Sequence, residues 1–127
     1  MYKRQVVEEK FQLLSIENNS QNVQVIILYL SDGCNYEEAR NAVDAYKKAS
    51  TCYIIGDFNF EDGEKNALTK NFYSQGLEQM IKVPTHEKGR TIDHLYITKA
   101  SKEKIAVKVT YPYYSDHAAI CVKFGPQ

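Results

Sequence analysis

Apolar and polar positions change period several times along this chain, and the changes mark its elements. Residues 23–30 (V-Q-V-I-I-L-Y-L) form a strongly apolar stretch of strand length. Residues 11–16 are a shorter strand-like run, and Asn18-Asn19-Ser20-Gln21-Asn22 between the two is a polar turn, so a hairpin is expected. Asp32-Gly33 breaks the second strand. Ala39, Ala42, Val43, Tyr46 and Ala49 then recur at helical spacing. They predict an amphipathic helix over 36–49, with Asn35 as N-cap and Glu38 completing a capping-box-like pattern. Residues 52–56 (C-Y-I-I-G) read as a short strand buried on both faces, 58–63 as a loop, and 64–74 as a second helix ended by Gly76. An extended stretch over 77–83 stops at Pro84. Strands follow at 91–98, at 105–110 (half-exposed, alternating) and at 118–124. The order β-β-α-β-α-β-β-β predicts an α/β (α+β) fold, with a mixed sheet covered by helices on one face. No repeat, linker or low-complexity segment divides residues 1–127, which read as a single domain.

Composition narrows the class. The chain is 43% hydrophobic and 25% charged, as expected of a globular protein. No apolar run approaches the length of a bilayer span. No charged start leads into a signal-peptide core, so an intracellular chain is expected rather than a secreted one, with a nuclear destination open. Cys34, Cys52 and Cys121 are odd in number and widely spaced, which predicts thiols rather than a disulfide framework or a cysteine zinc site. The net charge of zero argues against tight non-specific nucleic-acid binding, yet it averages two unlike halves. Residues 1–63 carry 6 Lys/Arg against 10 Asp/Glu, and residues 64–127 carry 10 against 6. The mildly basic second half is suited equally to a phosphate backbone and to plain solvation.

Candidate chemistry sits where polar side chains interrupt or end the apolar strands. In I-I-G-D-F-N-F, Asp57 and Asn59 follow a buried strand. Two apart in extended chain, they point the same way. The aspartate offers a charged oxygen to a hard cation or a water, and the asparagine a neutral donor for a phosphate oxygen. An Asx-turn closing the strand accounts for D-F-N equally well. In R-T-I-D-H-L-Y-I, Asp93 and His94 lie inside a strand, and in Y-Y-S-D-H, Asp116 and His117 precede one. Asp116 could bind a hard divalent ion, and the His117 imidazole could move a proton near neutrality. A second carboxylate such as Asp93 could bond the far ring nitrogen and raise its basicity. Tyr29 near the end of 23–30 is a fourth candidate, whereas His86 and His94 read as structural. Converging at one sheet end, these residues suit phosphodiester hydrolysis: a metal neutralises the phosphate, a base activates water, and donors hold the developing charge.

Taken together, I-I-G-D-F-N at 54–59, P-T-H at 84–86, T-I-D-H-L-Y-I at 91–97 and Y-Y-S-D-H at 113–117 resemble the endonuclease/exonuclease/phosphatase superfamily. They are most like the endonuclease domains of non-LTR retrotransposons and related mobile elements. The resemblance covers roughly residues 11 to 124. It implies that Asp57 positions or activates the attacking water, that Asn59 contacts the scissile phosphate, and that Tyr29 bonds that phosphate. It implies Asp116 as a ligand of Mg²⁺ or Mn²⁺, and His117 as phosphate contact or acid-base group with Asp93 as its carboxylate partner. DNA is the implied partner, with no membrane.

The same resemblance exposes a departure. Domains of that family are longer, with two α/β halves packed sheet on sheet. Their first half supplies an asparagine after the first strand and a principal metal-binding glutamate. Residues 1–10 (M-Y-K-R-Q-V-V-E-E-K) supply neither context, and Glu8 and Glu9 read as surface charges. The expected fold is the C-terminal half of a DNase I-like four-layer sandwich. Catalysis by the chain alone is expected to be weak or absent, the alternative being a non-catalytic module that binds nucleic acid or a partner. A sandwich cut between its sheets would expose an apolar face, suited to the absent N-terminal half or to self-association.

Overall fold

A computed structural model describes residues 2–8, 10–99, 105–112 and 115–124. Its main sheet has six strands in the order β1-β2-β3-β4-β6-β5. These are β1 (Tyr2–Val7), β2 (Phe11–Asn18), β3 (Val23–Leu30), β4 (Thr51–Asp57), β5 (Leu77–Gln79) and β6 (Asp93–Thr98). Only β3 and β4 pair in parallel; every other neighbour is antiparallel, so the sheet is mixed, as the element order predicts. Helices α1 (Tyr36–Tyr46) and α2 (Ala67–Ser74) cover one face, and a two-stranded ribbon of β7 (Ile105–Thr110) and β8 (Ala119–Phe124) covers part of the other.

Two apolar clusters hold these layers. On the helix side, Ala39 and Val43 of α1 and Leu68 and Phe72 of α2 pack on Leu13, Ile26, Leu28, Ile54 and Tyr96, all buried. On the ribbon side, Tyr53, Leu95 and Ile97 meet Ile105, Val107, Val109, Ile120 and Val122. Each fully buried Leu, Ile or Phe contributes about 1.5–3 kcal/mol, so the larger helix-side cluster dominates stability and the ribbon is held more lightly. The ribbon does not reach the far end of that face: Val7, Ile27 and Tyr29 stay exposed.

Several boundaries differ from the sequence expectation, each for a stated reason. β1 has no clean alternation and lies at the sheet edge with only Arg4 and Val6 half-buried. Arg4 anchors it through an ion pair with Glu17 and by stacking over the Tyr46 ring. The first helix stops at Tyr46 rather than at 49 because buried Gln24 captures the chain there. Its Nε2 donates to the Tyr46 carbonyl (2.6 Å), and its Oε1 accepts from the backbone N–H of Lys48 (2.8 Å) and Ala49 (3.2 Å). The second helix starts at Ala67, since Asn66 caps it and Thr69 closes the capping box. β5 ends at Gln79, whose amide bonds both polar groups of the Ile81 backbone. All three cysteines are free; Cys34 and Cys52 are buried, and burial pushes the Cys52 thiol up to about 12.

Gly56 fixes the closeness of β3 and β4. A Cβ built there overlaps the Leu28 carbonyl oxygen, a backbone atom that cannot move aside without disturbing the ladder. Gly56→Ala is therefore expected to cost about 3 kcal/mol or more, seen as a lower urea midpoint with unchanged m-value. An unshifted midpoint would show that the strands separate freely.

Candidate active site

The pleat and the register together assemble the site. β3 and β4 pair Tyr29 with Asp57, and β4 and β6 pair Asp57 with Asp93. Paired residues project to the same side of a sheet. Tyr29, Asp57 and Asp93 thus form one row at the strand ends, on the face that the ribbon partly covers. Two carboxylates directly opposite across an antiparallel pair repel each other. Burial, and next the charge of Asp93, raise the Asp57 carboxyl above the ordinary aspartate range; the Asn59 N–H and the nearby imidazoles oppose that rise.

His117 stands over this pair. Its Nδ1 lies 2.9 Å from Asp93 Oδ2, and its Nε2 lies 3.8 Å from Asp57 Oδ2. A carboxylate only accepts, so Nδ1–H is the donor to Asp93, and in the neutral ring Nε2 carries the lone pair. The hydrogen bond to Asp93, first among the causes, raises the His117 pKa above the usual histidine value. His94, its neighbour in composition but not in place, behaves oppositely. It is fully buried, stacks on Phe58, donates from Nε2 to the Thr91 carbonyl and accepts at Nδ1 from the Tyr96 hydroxyl. Burial lowers its pKa and keeps it a neutral part of the core.

Asn59 adopts the Asx-turn geometry. Its backbone N–H donates to Asp57 Oδ1 (3.0 Å) and its side-chain amide donates to the Leu30 carbonyl (2.6 Å), tying the ends of β3 and β4 together. Its φ of +54° lies in the left-handed region, which asparagine tolerates better than most residues. Strain of this kind collects at functional sites.

The segment around Thr85 holds Asp93 and His117 to each other. Thr85 is buried, and its hydroxyl oxygen accepts from two successive backbone N–H groups, Ile92 (3.1 Å) and Asp93 (3.0 Å). Its carbonyl accepts from Ala118 N–H at 2.7 Å, and a single antiparallel bridge pairs His86 with His117. Because Thr85 takes those two N–H groups, β6 begins at Asp93 rather than at 91.

Asp116 stays near His117 but pairs with His86. While His117 faces Asp57 and Asp93, Asp116 lies half-exposed with Oδ2 3.3 Å from His86 Nε2. The structure therefore brings together Tyr29, Asp57, Asp93 and His117, and sets Asp116 beside them with His86; Asn59, not extended, reaches Asp57 only through its backbone N–H while its amide bonds the Leu30 carbonyl. His86, read from sequence as structural, belongs to the site region; the P-T-H stretch was its only signal. Tyr113 and Tyr114 of the Y-Y-S-D-H motif, and Glu9, lie outside the described residues. Glu8 is exposed.

Among the described residues two groups of side chains could hold a metal: Asp57, Asp93 and His117, and His86, Asp116 and His117. Neither contains a glutamate. The first suits a hard divalent ion such as Mg²⁺. It offers two carboxylates directly opposite in the ladder, whose mutual repulsion a cation between them would relieve. It leaves most of an octahedral shell to water.

Neither a protein-family model nor a curated protein matches the sequence. Solved structures do. The endonuclease domain of TRAS1, a telomere-specific non-LTR retrotransposon, is similar with a TM-score of 0.67 at 15% identity, over 96% of this chain and 67% of that one. The human Nocturnin catalytic domain with bound sulfate anion is similar with a TM-score of 0.57 at 15% identity, over 98% of this chain and 59% of that one. The fold is DNase I-like, as the motifs implied, and the chain spans 67% and 59% of these two neighbours. No helix among the described residues is long and apolar enough to cross a membrane.

Two outcomes follow from this geometry. His117 should titrate above ~6.5 by NMR, and Asp93→Asn should bring its midpoint down toward that value. Because the folded pKa is raised, the stabilisation from this pair is full below ~6.5 and is lost as pH rises through the folded value. An unchanged midpoint in Asp93→Asn would refute the pairing. Thr85→Val leaves two backbone N–H groups without an acceptor and should lose about 1–3 kcal/mol or more in thermal or urea unfolding, while Thr85→Ser should lose much less.

Proposed function

We propose that the row of Tyr29, Asp57 and Asp93, with His117 above it, performs metal-dependent phosphodiester hydrolysis of the endonuclease type on DNA. The observation that supports this most is the His117 ring, hydrogen-bonded to Asp93 and turned toward Asp57 at the common end of two paired strands. With one carboxylate oxygen free of the ion, Asp57 orients a water for attack and serves as its base. It takes the proton of a water attacking phosphorus. His117, whose protonated form Asp93 stabilises, donates from Nε2 to a phosphate oxygen as negative charge grows there. The Tyr29 hydroxyl, in the same row, serves as a further donor to the phosphate, and the Asn59 amide keeps one N–H beyond its bond to the Leu30 carbonyl for the same use. Mg²⁺ or Mn²⁺, held by carboxylate oxygens of Asp57 and Asp93, would supply charge neutralisation of the phosphate.

The small number of anionic ligands implies weak metal binding and slow turnover, since few charges oppose the cost of dehydrating Mg²⁺. It is also the feature that favours the second reading, a non-catalytic module that retains the site's shape and binds nucleic acid.

Nicking of supercoiled plasmid decides between them. Slow, EDTA-sensitive nicking with Mg²⁺ or Mn²⁺ is expected, lowered about 100-fold or more in His117→Ala. Equal nicking by wild type and His117→Ala would sink the assignment, and no nicking with either ion would leave the binding module as the function.

A further inference from the structure

His117 belongs to both groups of potential ligands, and the second has a different chemistry from the first. His86, Asp116 and His117 offer two imidazole nitrogens and one carboxylate oxygen, all within 4.8 Å of one another. We propose that these three residues form a binding site for a transition ion of the Zn²⁺ class, separate in donor chemistry from the oxygen-rich pair that suits Mg²⁺.

Three observations carry this. The first is spacing. Ligands at about 2.0–2.1 Å from a tetrahedral ion lie roughly 3.3–3.4 Å from each other, and His86 Nε2 is 3.3 Å from Asp116 Oδ2. The second is tautomer. Nδ1–H of His117 is held by Asp93 at 2.9 Å, which leaves Nε2 as the donor nitrogen and provides the outer carboxylate that ligating histidines commonly have. The third is support. The backbone fixes both ligand segments to each other: His86 and His117 form a bridge, Glu87 N–H donates to the Asp116 carbonyl at 2.8 Å, and the Ser115 hydroxyl accepts the His117 N–H at 3.1 Å. The rings are perpendicular with centroids 5.2 Å apart. The group opens into a cavity of about 190 Å³, lined also by Tyr111 and Pro112, with room for water as a fourth ligand.

A cost accompanies the site. The Lys88 backbone N–H faces His86 Nδ1 at 3.3 Å, so the unliganded neutral ring carries its proton on Nε2. Binding moves that proton to Nδ1 and gives up this long contact, a small loss beside a metal–nitrogen bond. N,N,O ligation prefers borderline ions, whereas Mg²⁺ and Ca²⁺ avoid it. The binding does not depend on the catalytic reading above, but its consequence does: an ion on His117 Nε2 would occupy the atom that faces the phosphate and would hold the site inactive.

Titration with Co²⁺ tests the site directly, because tetrahedral Co²⁺ absorbs in the visible while octahedral aqueous Co²⁺ barely does. One equivalent should bind wild type with intense visible absorption, and Zn²⁺ should displace it. His86→Ala and His86→Gln, each checked for folding by circular dichroism, should weaken binding more than ~100-fold, beyond what outer-shell changes cost. Asp57→Asn should weaken it less than either His86 variant. Absence of the absorption in wild type, binding retained by both folded His86 variants, or loss confined to Asp57→Asn would each overturn the proposal. None of these outcomes depends on nuclease activity, so the two readings fail separately.

Discussion

Everything at the site rests on how β4 meets its two neighbours. It runs parallel to β3 and antiparallel to β6, and the two ladders bring Tyr29, Asp57 and Asp93 into one row. Side chains alternate with a period of two, so a slip of one residue in either ladder would send Asp57 or its partner to the helix face. Gly56 lies next to Asp57 at the point where β4 comes too near the Leu28 carbonyl for any side chain. The glycine has no chemistry of its own, yet it locks the ladder that aims the aspartate beside it.

Electrostatics then determines what that row can be. Two acids face to face are unfavourable in a sheet, and a protein built only for stability would replace one of them. Here the imbalance is answered by an imidazole that leans on one carboxylate and approaches the other. The same chain keeps His94 neutral by burying it between a carbonyl and a tyrosine hydroxyl. Burial lowers one pKa, while a carboxylate partner raises the other. Thr85 makes the pairing rigid from outside, because one buried hydroxyl oxygen fixes the start of β6 and the carbonyl of the same residue holds the chain just after His117.

Much of this was legible in the sequence wherever the signal was local. The runs at 23–30, 105–110 and 118–124 declare their strands by period, and Asp57, Asn59, Asp93 and His117 stand out as polar residues at or within apolar strands. The end of α1 was not legible, because Gln24 on a distant strand sets it. β1 escaped notice because an edge strand buries too little to pattern its sequence. Asp116 and His117 were read as a pair working on one site. They do lie in one group with His86, but Asp116 pairs with His86 while His117 turns to Asp93. His86 was read as structural. Its surroundings come from the segment it bridges, and only the P-T-H stretch around it pointed to the site region.

His117 reaches the row from the chain leading into the ribbon, not from the six-stranded sheet that carries Asp57 and Asp93. The two parts are joined by a modest apolar seam of Ile105, Val107, Val109, Ile120 and Val122, and by a few hydrogen bonds at Thr85 and Glu87. The site thus spans the seam between the main sheet and the ribbon. Loosening the seam far from any polar group would part the imidazole from its carboxylates while the main sheet stayed folded, so a methyl group on β7 and the proton on His117 share one equilibrium.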